Sequence, residues 1–251
     1  MPVCFFGTVL IAGCATVGRP PAGQREHALI SSAEEVQLGR ILSRKIVNAR
    51  DKPWNDPAEQ RQVNELGQKL ARMSDRKEIV YYFQILDGSE VHAFALPGGY
   101  VYISRGLYEA LDEQERAAVL AHEIGHIAAR HPLKRLQAAL GDEVLAGIVL
   151  LGLGREDPDM ARQIGSVSDT VFDQLSRGYS RQEELLADRS AVKYLKEAGI
   201  DPQGMVRFLE FLDQGKVPAG GVFEVSSGPS RMRERIRRVE EEIAGEAPAK
   251  P

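Results

Sequence analysis

The chain has only two cysteines, Cys4 and Cys14, both within its first 14 residues. No disulfide framework can staple the rest, so stability has to come from a packed core and any bound ion. A basic excess is missing too, since 32 Lys and Arg stand against 36 Asp and Glu, for a net charge of -4. That balance excludes the unmatched basic stripe with which nucleic-acid binders neutralise phosphate. Long apolar runs are also absent. The runs at 3–13 and 144–154 fall well short of the about 20 residues a helix needs to cross a bilayer. Histidine is scarce, five in 251 residues, so where those five stand is informative. What remains, 43% hydrophobic and 27% charged, is ordinary globular material, and one domain is the default.

The N-terminus, "MPVCFFGTVLIAGCATVG", is an apolar run ending in "IAGC", which resembles a bacterial lipobox. The expectation is a lipoprotein signal peptide over 1–13, removed in the mature chain, with Cys14 acylated at the new N-terminus. One feature departs from the pattern: no Lys or Arg precedes the apolar stretch. Each buried acyl methylene contributes about 0.8 kcal/mol, so several chains on one cysteine hold a protein to a membrane without a spanning helix. The Pro- and Gly-rich residues 14–30 read as a tether, 31–244 as the folded domain and 245–251 as a disordered tail.

Within the domain, "SSAEEVQLGRILSRKIVNA" reads as a helix with a Ser32–Glu35 capping box, and "DPAEQRQVNELGQKLARM" as one opened by Asp56 and Pro57. "IVYYFQILD" and "VHAFALPGGYVYIS" are the strand signals. After Ser104 the pattern is helical. Asp112 and Glu115 form a capping box, Pro132 closes that helix, and "VLAGIVLLGLG" reads as a buried helix. Three more helices follow, the last including "SRMRERIRRVEEEI", basic first and acidic afterwards, whose Arg and Glu at helical spacings read as a solvated face. The fold class expected is α+β, mostly α-helical, with a small sheet.

"AVLAHEIGHIAARHP", residues 118–132, carries the chemistry. On a helix His122 and His126 stack at i and i+4, about 6 Å apart at Cβ, close enough to share one ion. Glu123 points about 100° away, where it can act on a water rather than ligate. Two imidazoles for zinc and an adjacent carboxylate as general base make a hydrolytic set. At this composition the pattern arises by chance in roughly one chain in a hundred. The small neighbours Ala118, Ala121, Gly125 and Ala128 make that face one that another element can approach closely. A catalytic zinc takes three protein ligands. In "YSRQEELLADRSAVKY", Ser180 and Glu183 fit a capping box, which leaves Glu184 as third ligand and Asp188, one turn on, to hold a ligand histidine by its free N–H. Ala187 and Ala191 would let the two helices pack closely.

"SSAEEVQLG", "AFALPGGYVYISRGL", "HEIGHIAARH" and "SRQEELLAD" stand in the order and spacing of the zinc metallopeptidase family of HtpX, BepA and the CAAX prenyl proteases. The chain resembles the small soluble lipoprotein members over about residues 31–240. The resemblance implies a gluzincin-type zincin domain, one zinc on His122, His126 and Glu184, and Glu123 as base. It also implies an edge strand, His92, Ala93, Phe94 and Ala95, flanking the active-site cleft, onto which an extended or unfolded polypeptide would add as a further strand. Two positions depart from the family: His92 stands where Asn is usual, and Gly228 where relatives often carry a latch histidine. His131 reads as a helix C-terminal residue favoured by the dipole. The function expected is a zinc endopeptidase on the periplasmic side of a bacterial envelope, anchored through Cys14, probing unfolded or misassembled proteins. By resemblance, the absence of Asp at position 15 favours the outer membrane. The rival readings are a chaperone-like module using the same edge strand with little turnover, and a lipoprotein with a purely structural zinc.

Overall fold

A computed structural model describes residues 30–49, 52–152, 178–214 and 229–245. The stretches read as signal peptide and, up to residue 29, as tether, together with Cys14, Gly228 and the residues beyond Gly245 read as a tail, lie outside the described residues.

The first helix, α1 (Ser32–Ala49), is capped one residue earlier than the sequence suggests. The box is Ser31 with Glu34: Ser31 Oγ accepts from the Glu34 amide at 3.2 Å, and Glu34 Oε2 accepts from the Ser31 amide at 2.8 Å. Glu35 is thereby free to turn inward. Helix α2 (Pro57–Ala71) opens as expected, with Asp56 Oδ1 accepting from the amides of Ala58 and Glu59. The strand signals become β1 (Tyr82–Leu86), β2 (Ala93–Leu96) and β3 (Tyr100–Ser104). Their order is β1-β3-β2, with β1 and β3 parallel and β2 and β3 an antiparallel hairpin. Among the described residues β2 is therefore an edge strand. The hairpin turn needs glycine at Gly98, where φ is 76° and a Cβ would lie 2.5 Å from Val36 Cα.

Alternation along the strands divides the interior into two cores. Phe83, Ile85, Ala93, Ala95, Val101 and Ile103 face one way; Leu86, Phe94, Leu96, Tyr100 and Tyr102 face the other. Helix α3 (Arg105–Ala110) follows β3, and α4 (Glu113–Ala128) carries the histidine motif. Its expected capping box, Asp112 with Glu115, is formed. From Ala117 to Ile127 every residue of α4 is buried, because the helix lies against β2 on one side and against α2 on another. It ends before Pro132: Arg130 takes a left-handed φ of 58°, and Pro132 sits in the first turn of α5 (His131–Leu140).

The stretch read as a buried helix is α6 (Asp142–Gly152), and only one face of it meets that expectation. Leu145, Ile148 and Val149 pack with Leu38 and Leu42 of α1, whereas Leu150 is 38% exposed. Helices α7 (Arg181–Glu197), α8 (Gln203–Asp213) and α9 (Pro229–Ala244) complete the order. The first core lies between the sheet and α2, α4, α7, α8 and α9. The fold is α+β and mostly helical, and among the described residues no helix is long and apolar enough to cross a membrane.

Candidate metal centre

The site is built where α4 crosses α7. Gly125 sets the separation, since a Cβ there would lie 3.0 Å from the Ala187 carbonyl oxygen and 3.1 Å from Ser190 Cβ. Ala187 and Ala191 are buried in the same contact, as their size suggested. Helix α7 starts with the expected box, Ser180 with Glu183, which removes Glu183 from the site. Glu184 and Asp188 then face α4.

Ligand-type atoms of His122, His126 and Glu184 lie within 4.8 Å of one another. The two Nε2 atoms are 3.0 Å apart, Glu184 Oε2 is 3.4 Å from His122 Nε2, and Glu184 Oε1 is 4.0 Å from His126 Nε2. Donors around a four-coordinate ion with bonds near 2 Å stand about 3.3 Å apart, so these separations fit one ion. The donor chemistry fits as well. Two buried imidazole nitrogens and a carboxylate oxygen point at one spot, and a shared cation satisfies all of them at once.

The groups behind the donors fix them. Asp188 Oδ1 lies 2.9 Å from His122 Nδ1, close but off the line of a straight hydrogen bond. Nδ1 of His126 is 2.8 Å from Nδ1 of His131. For both Nε2 atoms to ligate, each Nδ1 would have to carry the proton, facing Asp188 from His122 and His131 from His126. The Tyr179 ring stacks on His126 at 3.8 Å between centroids, and the Arg135 guanidinium sits 3.6 Å over the Tyr179 ring, also donating to the Gly178 carbonyl at 2.9 Å. Arg235 of α9 donates to both oxygens of Asp188 at 2.7 Å, and its Nη1 lies 3.0 Å from Glu184 Oε2.

Charge balance follows from these contacts. Burial disfavours the His122 imidazolium, but hydrogen bonding to Asp188 and Glu184, with their charges, outweighs it and pushes the pKa up to about 9. Burial, reinforced by the charge on His122, holds His126 well below the usual imidazole range, and burial brings His131 down to about 4. Burial would raise Glu184 and Asp188, yet the Arg235 charge and the hydrogen bonds hold both below the ordinary carboxylate range. Glu123, buried on α4, is pushed up to about 7 by burial, with the His122 charge opposing and the Glu184 charge adding.

Of the residues singled out in the sequence, His122, His126, Glu184 and Asp188 come together. His92 is not among them. It is buried just before β2, with its amide donating to Ser104 Oγ at 3.1 Å and its ring stacked on Phe94 at 6.1 Å. Ala93, Phe94 and Ala95 are buried in β2, which packs along α4.

Two expectations are corrected. His131 is not the end of the motif helix but the first residue of α5, buried against His126, because the left-handed turn at Arg130 reverses the chain before it. The charged run of α9 is not uniformly solvated either, since Arg235 is only 7% exposed. Arg235 and Tyr179 were missed, although Met232, Arg235 and Val239 share helical spacing, which marks Arg235 as standing in an apolar stripe.

The model of the family described as Peptidase family M48 matches residues 57–243. The beta-barrel assembly-enhancing protease of Shigella flexneri is 29% identical over 204 residues, covering 78% of this chain and 41% of that protein. The metalloprotease YcaL of Escherichia coli is 28% identical over 162 residues, 64% of this chain and 62% of the relative. Metalloprotease LoiP of the same species is 27% identical over 130 residues, 52% and 50% of the two chains. The chain thus spans less than half the length of the first of these relatives. The matched segment runs from α2 to the last turns of α9 and contains the whole histidine and carboxylate cluster, and the chain belongs to peptidase family M48.

Proposed function

We propose that the protein is a zinc endopeptidase that cleaves extended or unfolded polypeptides of the bacterial cell envelope, held to the membrane through a lipid on Cys14. The observation that carries the reading is the convergence of His122, His126 and Glu184 on one point, with Glu123, the residue after His122, buried on the same helix. His122, His126 and Glu184 would hold one zinc per chain, and Asp188 would keep His122 in the ligating tautomer. When bound, zinc supplies Lewis acidity toward the scissile carbonyl and toward water.

Glu123 takes a proton from the attacking water as its oxygen bonds to the carbonyl carbon, then delivers that proton to the amine as the C–N bond breaks. The edge strand β2, with His92 just before it, would align the substrate by main-chain hydrogen bonds, which reads extended backbone rather than sequence. The name of one relative, a beta-barrel assembly-enhancing protease, supports an envelope client, and the names of the two metalloproteases support proteolysis. An outer-membrane address rests on the residue after Cys14.

The test is Glu123→Gln in the full chain. Metal analysis should still find one zinc per chain, while cleavage of unfolded casein disappears. Equal cleavage by both forms would remove Glu123 from the chemistry, and slow turnover with tight casein binding in the wild type would favour the chaperone-like reading.

A further inference from the structure

Arg235 belongs to neither helix that carries a proposed ligand, yet its guanidinium fills the gap between the two carboxylates of α7. Nε and Nη2 each reach Asp188 at 2.7 Å, and Nη1 reaches Glu184 Oε2 at 3.0 Å. A guanidinium this deeply buried is costly unless paired, and here it is paired twice. Its planar fork fixes direction as well as charge. Asp188, held on both oxygens, faces Nδ1 of His122 at 2.9 Å. One cation from α9 therefore sets two of the three donors, Glu184 directly and His122 through Asp188.

The rest of α9 is seated by the same surface. Met232 and Val239 are buried on either side of Arg235, Arg181 of α7 pairs with Glu234, and Lys196 of α7 donates to the carbonyls of Glu242 and Ile243 at 2.7 and 2.9 Å. If α9 left, Glu184 and Asp188 would remain as like charges one turn apart, with only the His122 ring between them.

We propose that Arg235 is a positioning residue of the metal centre, so that seating of α9 and loading of the metal are thermodynamically coupled. The proposal rests on the ligand set proposed above. Coupling of this kind is reciprocal: if a seated α9 strengthens metal binding, bound metal must hold α9 in place by the same factor. Repulsion between the guanidinium and a divalent cation acts in the opposite sense, so the sign of the effect is decisive.

Zinc affinity of the full chain, measured by competition with a chromophoric chelator, tests it. Loss of a group that orients ligands weakens metal binding about 10- to 100-fold. Arg235→Met should fall in that range, and Arg235→Lys between it and wild type, because lysine keeps the charge and loses the fork. The visible spectrum of the Co²⁺-loaded protein should change in both variants. In hydrogen exchange, Zn²⁺ should slow the amides of α9 in the wild type and not in Arg235→Met.

Folded variants, checked by circular dichroism, that bind Zn²⁺ as tightly as wild type or more tightly overturn the proposal. Should Arg235→Met not fold, the affinity and Co²⁺ spectrum of Arg235→Lys decide alone. His122→Ala separates the two layers. If it binds Zn²⁺ like wild type, the ligand set itself is wrong; if it loses Zn²⁺ while Arg235→Lys binds normally, only the role of Arg235 fails.

Discussion

Glu35→Gln distinguishes the buried role of this residue from the capping role its sequence suggests. Glu35 is 0% exposed. Its Oε1 and Oε2 each lie 3.0 Å from Arg76 Nη1, Oε2 accepts from Arg130 Nε at 2.8 Å, and Oε1 accepts from the Gly98 amide at 3.3 Å. Arg76 also donates to the Ile127 carbonyl at 3.3 Å, at the end of the histidine helix. One carboxylate thus joins α1, the turn between β2 and β3, and the C-terminus of α4. Glutamine keeps the shape and removes the charge that two guanidinium groups face. Breaking a buried pair from one side costs about 3–5 kcal/mol. The lower end applies here, because Arg76 Nε keeps Glu78 at 2.9 Å and the Arg130 side chain is 26% exposed and can hydrate. A loss of about 3 kcal/mol lowers the melting temperature by roughly 6–12 °C for a domain of this size. Urea and thermal unfolding of the full chain, followed by far-UV circular dichroism, measure it. A helix cap is worth about 1 kcal/mol, so a loss of that size or less would refute the burial argument and restore the capping one.

Two further outcomes are expected. Gly98→Ala should cost about 3 kcal/mol in urea unfolding, from left-handed strain together with overpacking against Val36 and Glu35. Gly88→Ala, where a Cβ meets nothing within 4 Å, should stay within about 0.5 kcal/mol, and equal losses at the two sites would undo the argument. In a bacterial host, labelled palmitate should be incorporated by wild type and not by Cys14→Ala; equal label in both would remove the anchor from the proposed function.

What was legible in the sequence is what a few neighbouring residues decide. The Asp112–Glu115 and Ser180–Glu183 boxes each span three residues and formed as read. The spacing of His122 and His126 put both rings on one side of one helix, and the box at Ser180 separated Glu184 from Glu183. The strands were found because their alternation is local. The misread residues have distant partners: Arg76 and Arg130 lie 41 and 95 positions from Glu35, and Asp188 lies 47 from Arg235. At α1 the local signal was degenerate as well, because Ser31 with Glu34 and Ser32 with Glu35 are equally good boxes by pattern. Only the burial of Glu35 separates them.

A local trace of those distant pairings was nevertheless present. Glu35, Leu38 and Leu42 stand at i, i+3 and i+7 and are all buried, as are Asp188, Ala191 and Leu195, and Met232, Arg235 and Val239, at the same spacing. Each set is an apolar helix stripe with one charged member. An ordinary solvated face would place the charge opposite the stripe, so a charge inside it requires a partner of opposite sign on the facing element. The stripes of α7 and α9 answer one another, Asp188 to Arg235, and that pairing sits directly behind Glu184 and His122. An apolar side chain at 235 would fill the stripe of α9 equally well. It would also leave Glu184 and Asp188 as two like charges with no cation between them, so the charge of Arg235 is explained by those two carboxylates and not by the packing of α9.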